Sequence, residues 1–178
     1  MPINKTVVVS VVALLLILLV SCNQKPKVIR RPIDKKKVEA TLAKINKKYI
    51  GVEDRQIDDY LNRRHWNFKR TKSGMRYLIY KKGQGKQAYS GARVTIEYEL
   101  SLIRGNIIYS SKNLGDKTFE VDRSDEPTGL FEAIKLMRVG DHAKVVIPSY
   151  LAYGLLGDDK KIPPKATLFY DVYVKKVF

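Results

Sequence analysis

Hydrophobic and polar residues follow three different periods along this chain, and each change of period marks an element. Val7 to Val20 form an apolar run interrupted only by Ser10. After Asp34, the apolar positions Val38, Leu42, Ile45 and Tyr49 recur at offsets of 4, 3 and 4, the spacing of one helical stripe, with Asp34 placed to cap its start. Gly51 is expected to end that helix, and Ile57, Tyr60 and Leu61 form the stripe of another. The pattern therefore predicts two short helices in tandem. From Thr71 the period falls to two: Met75, Tyr77 and Ile79 alternate with Arg76, Leu78 and Tyr80, and Gly83 and Gly85 mark a turn. Val94, Ile96, Tyr98, Leu100 and Leu102 share one face of the next strand. One helical pattern, Leu130, Ile134 and Met137, lies between Phe119-Glu120-Val121 and the strand His142 to Pro148, with Asp125 and Pro127 near its start and Gly140 after its end. The last strand runs from Thr167 to Val177. A few antiparallel strands and one central helix make an α+β layout in which the sheet covers the helix. The prolines Pro163-Pro164 stand directly before that last strand. Proline cannot donate to a ladder and holds its φ, so they end a loop of fixed geometry, a sensible place for a binding surface.

Composition assigns the two ends of the chain to different environments. With 178 residues, 44% of them hydrophobic, there is enough for one domain with a real core plus accessories. The run from Val7 to Val20 covers about 21 Å as a helix, short of the ~30 Å hydrocarbon core, so it reads as an export signal rather than a span. It ends Leu19-Val20-Ser21-Cys22, and Cys22 is the only cysteine. A single thiol makes no internal disulfide and ligates no zinc or iron–sulfur cluster, and Cys22 reads either as a chance cysteine of the signal or, on its likeness to the bacterial lipobox, as an acylated residue that anchors the chain by lipid. The formal charge of +16 is uneven: residues 23–93 carry 21 Lys and Arg against 6 Asp and Glu, whereas residues 94–178 carry 12 of each. The basic arm suits anionic lipid head groups or an acidic partner, or serves solubility alone. Export argues against nucleic acid. The expected organisation is a signal peptide over 1–22, a basic tether over 23–37, a basic helical segment over 38–70 and the main domain over 71–178.

Few residues suggest redox, metal or cofactor chemistry. Gly83-x-Gly85 lacks the third glycine and apolar helix of a dinucleotide loop. His65 and His142 have no second ligand at metal spacing, and Trp66 reads as a packing residue where the helices meet the domain. No cofactor and no metal are expected.

The segment from about Thr71 to Phe178 resembles the FKBP family of peptidyl-prolyl isomerases. The motifs that carry the likeness are "VTIEYEL", "GLFEAIKLMRVGDHAKVVIP", "AYG" and "IPPKATLFYDV", in that order. Small residues before Cys22 resemble the bacterial lipobox, and the layout of lipobox, basic helices and one such domain is similar to that of FKBP-type lipoproteins of Bacteroidetes, including those associated with gliding motility. The resemblance implies a twisted antiparallel sheet wrapped around one central helix, an apolar groove, and isomerisation of X-Pro bonds in unfolded or exported polypeptides, at a membrane outside the cytoplasm. Because Asn23 is not the aspartate that retains enterobacterial lipoproteins at the inner membrane, the outer membrane facing the periplasm is expected. It further implies that Tyr98 forms one wall of the groove and that Ile108 stands where phenylalanine is usual, with Phe119 beside them. Leu130 takes the floor position usual for tryptophan, near Pro127. Tyr153 offers its hydroxyl to a substrate carbonyl, Ile162 sits on the flap, and Tyr170 replaces a phenylalanine. One position departs from the family: Tyr109 stands where an aspartate usually orients a pocket tyrosine. The resemblance thus leaves the catalytic rate open, and with it a second reading, a low-turnover chaperone or binding module for a membrane-complex partner.

Overall fold

The computed structural model of the protein describes residues 34–178. The apolar run, Cys22 and the tether up to residue 33 fall outside the described residues. The chain divides into two compact units, Met1–Glu39 and Ala40–Phe178.

The first described element departs from the sequence pattern. In place of two short helices there is one, α1 (Lys35–Asn62), which runs through Gly51. A glycine inside a helix costs about 1 kcal/mol, and local propensity alone favours a break there. What holds the helix straight through that position is anchoring of the following turns. Ile57, Tyr60 and Leu61 are buried in a cluster with Val146, against which Trp66, Phe68 and Phe169 pack. The Trp66 ring lies 5.8 Å from that of Phe169. No described helix is long and apolar enough to cross a membrane.

The strands are β1 (Lys69–Arg70), β2 (Arg76–Lys81), β3 (Arg93–Leu102), β4 (Ile107–Ser110), β5 (Lys117–Glu120), β6 (His142–Ile147) and β7 (Leu168–Val177), with short helix α2 (Ser111–Leu114) and central helix α3 (Thr128–Lys135) between them. They form one antiparallel sheet of order β1-β2-β6-β7-β3-β4, with β5 also pairing to β3. Both faces are covered, which is why β6 reads Val145-Val146-Ile147 without alternation. Val145 joins the core with Leu130 and Ile134 of α3, together with Val94, Ile96 and Leu100 of β3. Val146 joins the α1 cluster instead. Close contact between α3 and the sheet requires Gly129: a Cβ there would stand 2.4 Å from Ile147 Cγ2.

Arg76 is the unexpected member of this architecture. Alternation puts it opposite Tyr77, and it is only 2% exposed. Its Nη1 donates to Asp54 Oδ1 at 2.8 Å, and its Nη2 and Nε donate to Asp58 Oδ1 at 2.8 and 3.1 Å. It also donates to the Gly74 carbonyl. Burial works against its charge, but the two α1 carboxylates prevail and hold the guanidinium above its ordinary value. Helix and sheet are therefore joined by an ion cluster as well as by apolar packing.

Candidate active site

Register across three strands assembles the site. Tyr109 of β4 stands opposite Leu100 of β3, and Leu100 stands opposite Tyr170 of β7. Directly opposed residues share a face, so Tyr109, Leu100 and Tyr170 form one row across the sheet. Tyr98, two residues before Leu100, projects from the same face, and its ring lies 6.2 Å from that of Tyr170. The backbone N–H of Tyr98 is held by Ser111 Oγ at 2.7 Å, where α2 begins. A cavity of about 550 Å3 opens here, lined by Tyr98, Leu100, Tyr109, Leu114, Tyr153 and Asp158 among others.

Tyr153 comes from the loop after a single 3-10 turn (Ser149–Leu151). Burial, reinforced by the negative charges of Glu126 and Asp158, pushes its hydroxyl up to about 12. It is a neutral donor across the physiological range. Every enclosed side-chain polar atom among the described residues is satisfied, and none of those residues bonds this hydroxyl. The Tyr153 hydroxyl is accordingly open to the cavity.

The flap begins with a turn that only glycine fits. Gly157 has φ +80°, and a Cβ on it would stand 2.1 Å from the Ile162 carbonyl oxygen. Asp158 follows. Its Oδ1 accepts the backbone N–H groups of Lys160, Lys161 and Ile162 at 3.0, 2.9 and 2.7 Å, and its Oδ2 accepts the Tyr109 hydroxyl at 2.6 Å. Burial disfavours the carboxylate, but these bonds outweigh it and bring Asp158 down to about 2. The same bond, with burial, raises the Tyr109 hydroxyl above its ordinary value.

The nine residues singled out by resemblance occupy different stations. Tyr98, Tyr109 and Tyr153 come together at the cavity. Leu130 and Tyr170 lie in the core beneath the sheet face, and burial lifts the Tyr170 phenol well above its ordinary range. Phe119 is buried against Phe131, ring centroids 5.9 Å apart, and does not line the cavity. Pro127 is the N-cap of α3. Ile108 packs on the core from β4, and its carbonyl accepts Lys161 Nζ at 3.3 Å. Ile162 is buried below the flap and lines a neighbouring hollow with Leu102, Leu156 and the two prolines.

Several lining residues escape the sequence reading, Lys117 and Asp158 among them. Lys117 ion-pairs with Glu126 at 2.9 Å, its Nζ 5.3 Å from the Tyr98 ring centroid. Strand alternation could have found it, because Lys117 shares a face with Phe119. For Asp158, "GDDKKIPP" signals only that an aspartate opens a turn.

Comparison with known proteins bears on this architecture. Residues 84–175 match the family described as FKBP-type peptidyl-prolyl cis-trans isomerase. The chain is 44% identical over 110 residues to a probable FKBP-type peptidyl-prolyl cis-trans isomerase FkpA of Neisseria meningitidis serogroup B, covering 61% of this chain and 40% of that protein. It is 33% identical over 142 residues to FkpA of Aeromonas hydrophila, covering 78% of this chain and 52% of that protein. The chain thus spans about half the length of these curated relatives or less. The crystal structure of FkpA from Escherichia coli superposes with a TM-score of 0.63 over 99% of this chain and 83% of that one, at 22% identity, which speaks for the fold alone. On the sequence match and the shared sheet-and-helix fold, the chain belongs to the FKBP-type peptidyl-prolyl cis-trans isomerase family.

Proposed function

We propose that this protein is a peptidyl-prolyl cis-trans isomerase that accelerates proline-limited folding of exported polypeptides, held by lipid on Cys22 to the outer membrane and facing the periplasm. The observation that carries the reading is the unpartnered Tyr153 hydroxyl in a tyrosine-lined cavity beside a flap stiffened by Pro163-Pro164. An X-Pro bond rotates over a barrier of ~18–20 kcal/mol because twisting the C–N bond costs resonance. No covalent bond breaks, so the chemistry needs neither nucleophile nor metal. Water solvates the planar, polar ground state better than the twisted one. A groove that strips water and donates one hydrogen bond to the carbonyl favours the twisted form, and each tenfold in rate needs about 1.4 kcal/mol of that preference.

In this reading Tyr98 and Leu100 wall the proline ring, Tyr153 donates to the carbonyl, and Leu130, Phe119, Pro127 and Tyr170 give the wall its backing. Ile108 and Ile162 shape the rim. Cys22, the basic segment and the isomerase domain support a likeness to the FKBP-type lipoproteins of Bacteroidetes. A relative from Legionella longbeachae, 34% identical over 106 residues, is named an outer membrane protein.

The test is a protease-coupled assay on a short X-Pro peptide with the soluble chain starting at Asn23. Acceleration over the uncatalysed exchange is expected. A rate equal to the uncatalysed one would leave the binding-module reading, which has its own support: the Tyr109 proton is committed to Asp158, and Leu130 is fully enclosed.

A further inference from the structure

Asp158 lies at the junction of two walls that have no other side-chain bond between carboxylate and phenol at the cavity. One wall is β4, which carries Tyr109. The other is the loop that leads from Tyr153 to the flap isoleucine. The carboxylate is saturated: three backbone N–H groups meet Oδ1 and the Tyr109 hydroxyl meets Oδ2. Its own N–H donates to the Ile162 carbonyl at 3.1 Å, so Ile162 is gripped at both backbone groups by one residue. The loop is tied back at its start as well, the Gly157 N–H donating to the Tyr153 carbonyl at 3.2 Å. A second link crosses the same gap: Lys161 Nζ reaches the Ile108 carbonyl and stands 5.3 Å from the Tyr109 ring centroid.

This arrangement does two things at once. It makes β4, the Tyr153 loop and Ile162 one mechanical unit, so the distance across the cavity is set by a carboxylate rather than by loop motion. It also fixes the polarity of the Tyr109 hydroxyl and sets it apart from that of Tyr153. Tyr109 has one proton and gives it to Asp158, so toward the cavity it presents lone pairs, whereas Tyr153 keeps a free proton. Between Tyr109 and Tyr153 the cavity wall then offers an acceptor and a donor in defined places. A peptide substrate has the complementary pair, a carbonyl before the proline and an N–H after it.

We propose that Asp158 is a positioning residue for X-Pro isomerisation: by holding the Tyr109 hydroxyl and the Ile162 backbone together it sets the cavity's width and makes Tyr109 an acceptor, leaving the substrate carbonyl to Tyr153. The proposal rests on the isomerase reading above. Asp158 does not touch the reacting bond and acts only through the groups it holds.

A double-mutant cycle tests it in the peptide assay. Asp158→Asn keeps an oxygen for the backbone N–H groups but turns a donor toward Tyr109, and Tyr109→Phe keeps every backbone bond while deleting the hydroxyl. Each single variant should lower kcat/KM by about tenfold, and the double variant should be no worse than either, because both break one contact. Asp159→Asn, on the exposed neighbour, is the control and should match the wild type. Circular dichroism and thermal melts accompany the kinetics, and Tyr109→Phe keeps the test decisive if Asp158→Asn does not fold. Single variants within about twofold of wild type, or losses that multiply in the double variant, overturn the proposal, as do melting-point losses without a kinetic effect. A wild type without turnover overturns the isomerase reading instead. The cycle is then read in the affinity for a fluorescent X-Pro peptide, where additive or absent effects sink the positioning role on its own.

Discussion

Among the three tyrosines at the cavity, the Tyr153 hydroxyl is open and that of Tyr109 is bonded to a carboxylate, a contrast that frames the expectations at the scale of the residue. Replacing Tyr153 by phenylalanine removes an open phenolic donor from the cavity wall. The loss expected is about 1 kcal/mol or somewhat more, a five- to tenfold fall in kcat/KM with the fold intact, read in the peptide assay beside a melting curve. The titration directions yield a second expectation. Asp158 is held near 2 and Tyr153 near 12, so neither changes charge between pH 5 and pH 9 and kcat/KM should be flat across that window. A bell-shaped profile centred near neutrality would place an unassigned acid or base in the site. The sign for stability follows from the same shifts. The folded Asp158 is more acidic than its ordinary value of 3.8, so its contribution is complete above about pH 4 and is lost as pH falls through about 2. Tyr153 behaves in the opposite sense: its contribution is complete below pH 10 and is lost as pH climbs through about 12. The positions of Tyr98 and Leu100 are legible in the sequence because a period of two needs no knowledge of distant partners. The bond between Tyr109 and Asp158 spans 49 residues, and nothing local to either residue announces it.

Among the elements, α1 is where local propensity and tertiary contact disagree most. Gly51 was a reasonable stop signal, and it failed because Asp54 and Asp58 on the next turns meet Arg76 of β2, up to 22 residues away. Alternation in β2 marked Arg76 as outward, which is correct, but not as enclosed, since the helix that covers it cannot be placed from pattern alone. An unbroken helix makes a simple prediction. Gly51→Ala meets nothing closer than 3.9 Å, so it should stabilise the protein by about 0.5–1 kcal/mol, whereas at a true break between two helices it would be neutral or harmful. Urea denaturation reads the sign. The ion cluster predicts the reverse effect for Asp54→Ala. Removing one carboxylate leaves a buried guanidinium short of a partner, at a cost of about 1–3 kcal/mol, with kcat/KM unchanged because the cluster lies on the face away from the tyrosines. Central helix α3, by contrast, is readable from Leu130 and Ile134 together with Pro127, since its stripe and its start lie within a few residues of each other.

For the whole molecule, charge is divided along the chain, with residues 23–93 strongly basic and residues 94–178 balanced. Under the lipid-anchor proposal, Cys22→Ser should abolish incorporation of a tagged fatty acid while leaving isomerase activity in place; label retained on the variant would end the proposal. The basic arm should bring the soluble chain from Asn23 onto anionic vesicles at low salt, with binding lost as screening sets in over about 8 Å at physiological ionic strength. A chain starting at Ala40 should bind less, and equal binding by both would assign the charge to solubility. An isomerase of unfolded chains, as proposed, would also meet many strands in search of a partner. One border of its sheet is β1, two basic residues long, and the other is shared by β4 and β5, four residues each, with the helical turn of α2 between them. Borders so short offer no template for strand addition. Under the isomerase proposal a client is therefore expected to be gripped by its side chains and to depart when its proline does, instead of remaining as an extra strand.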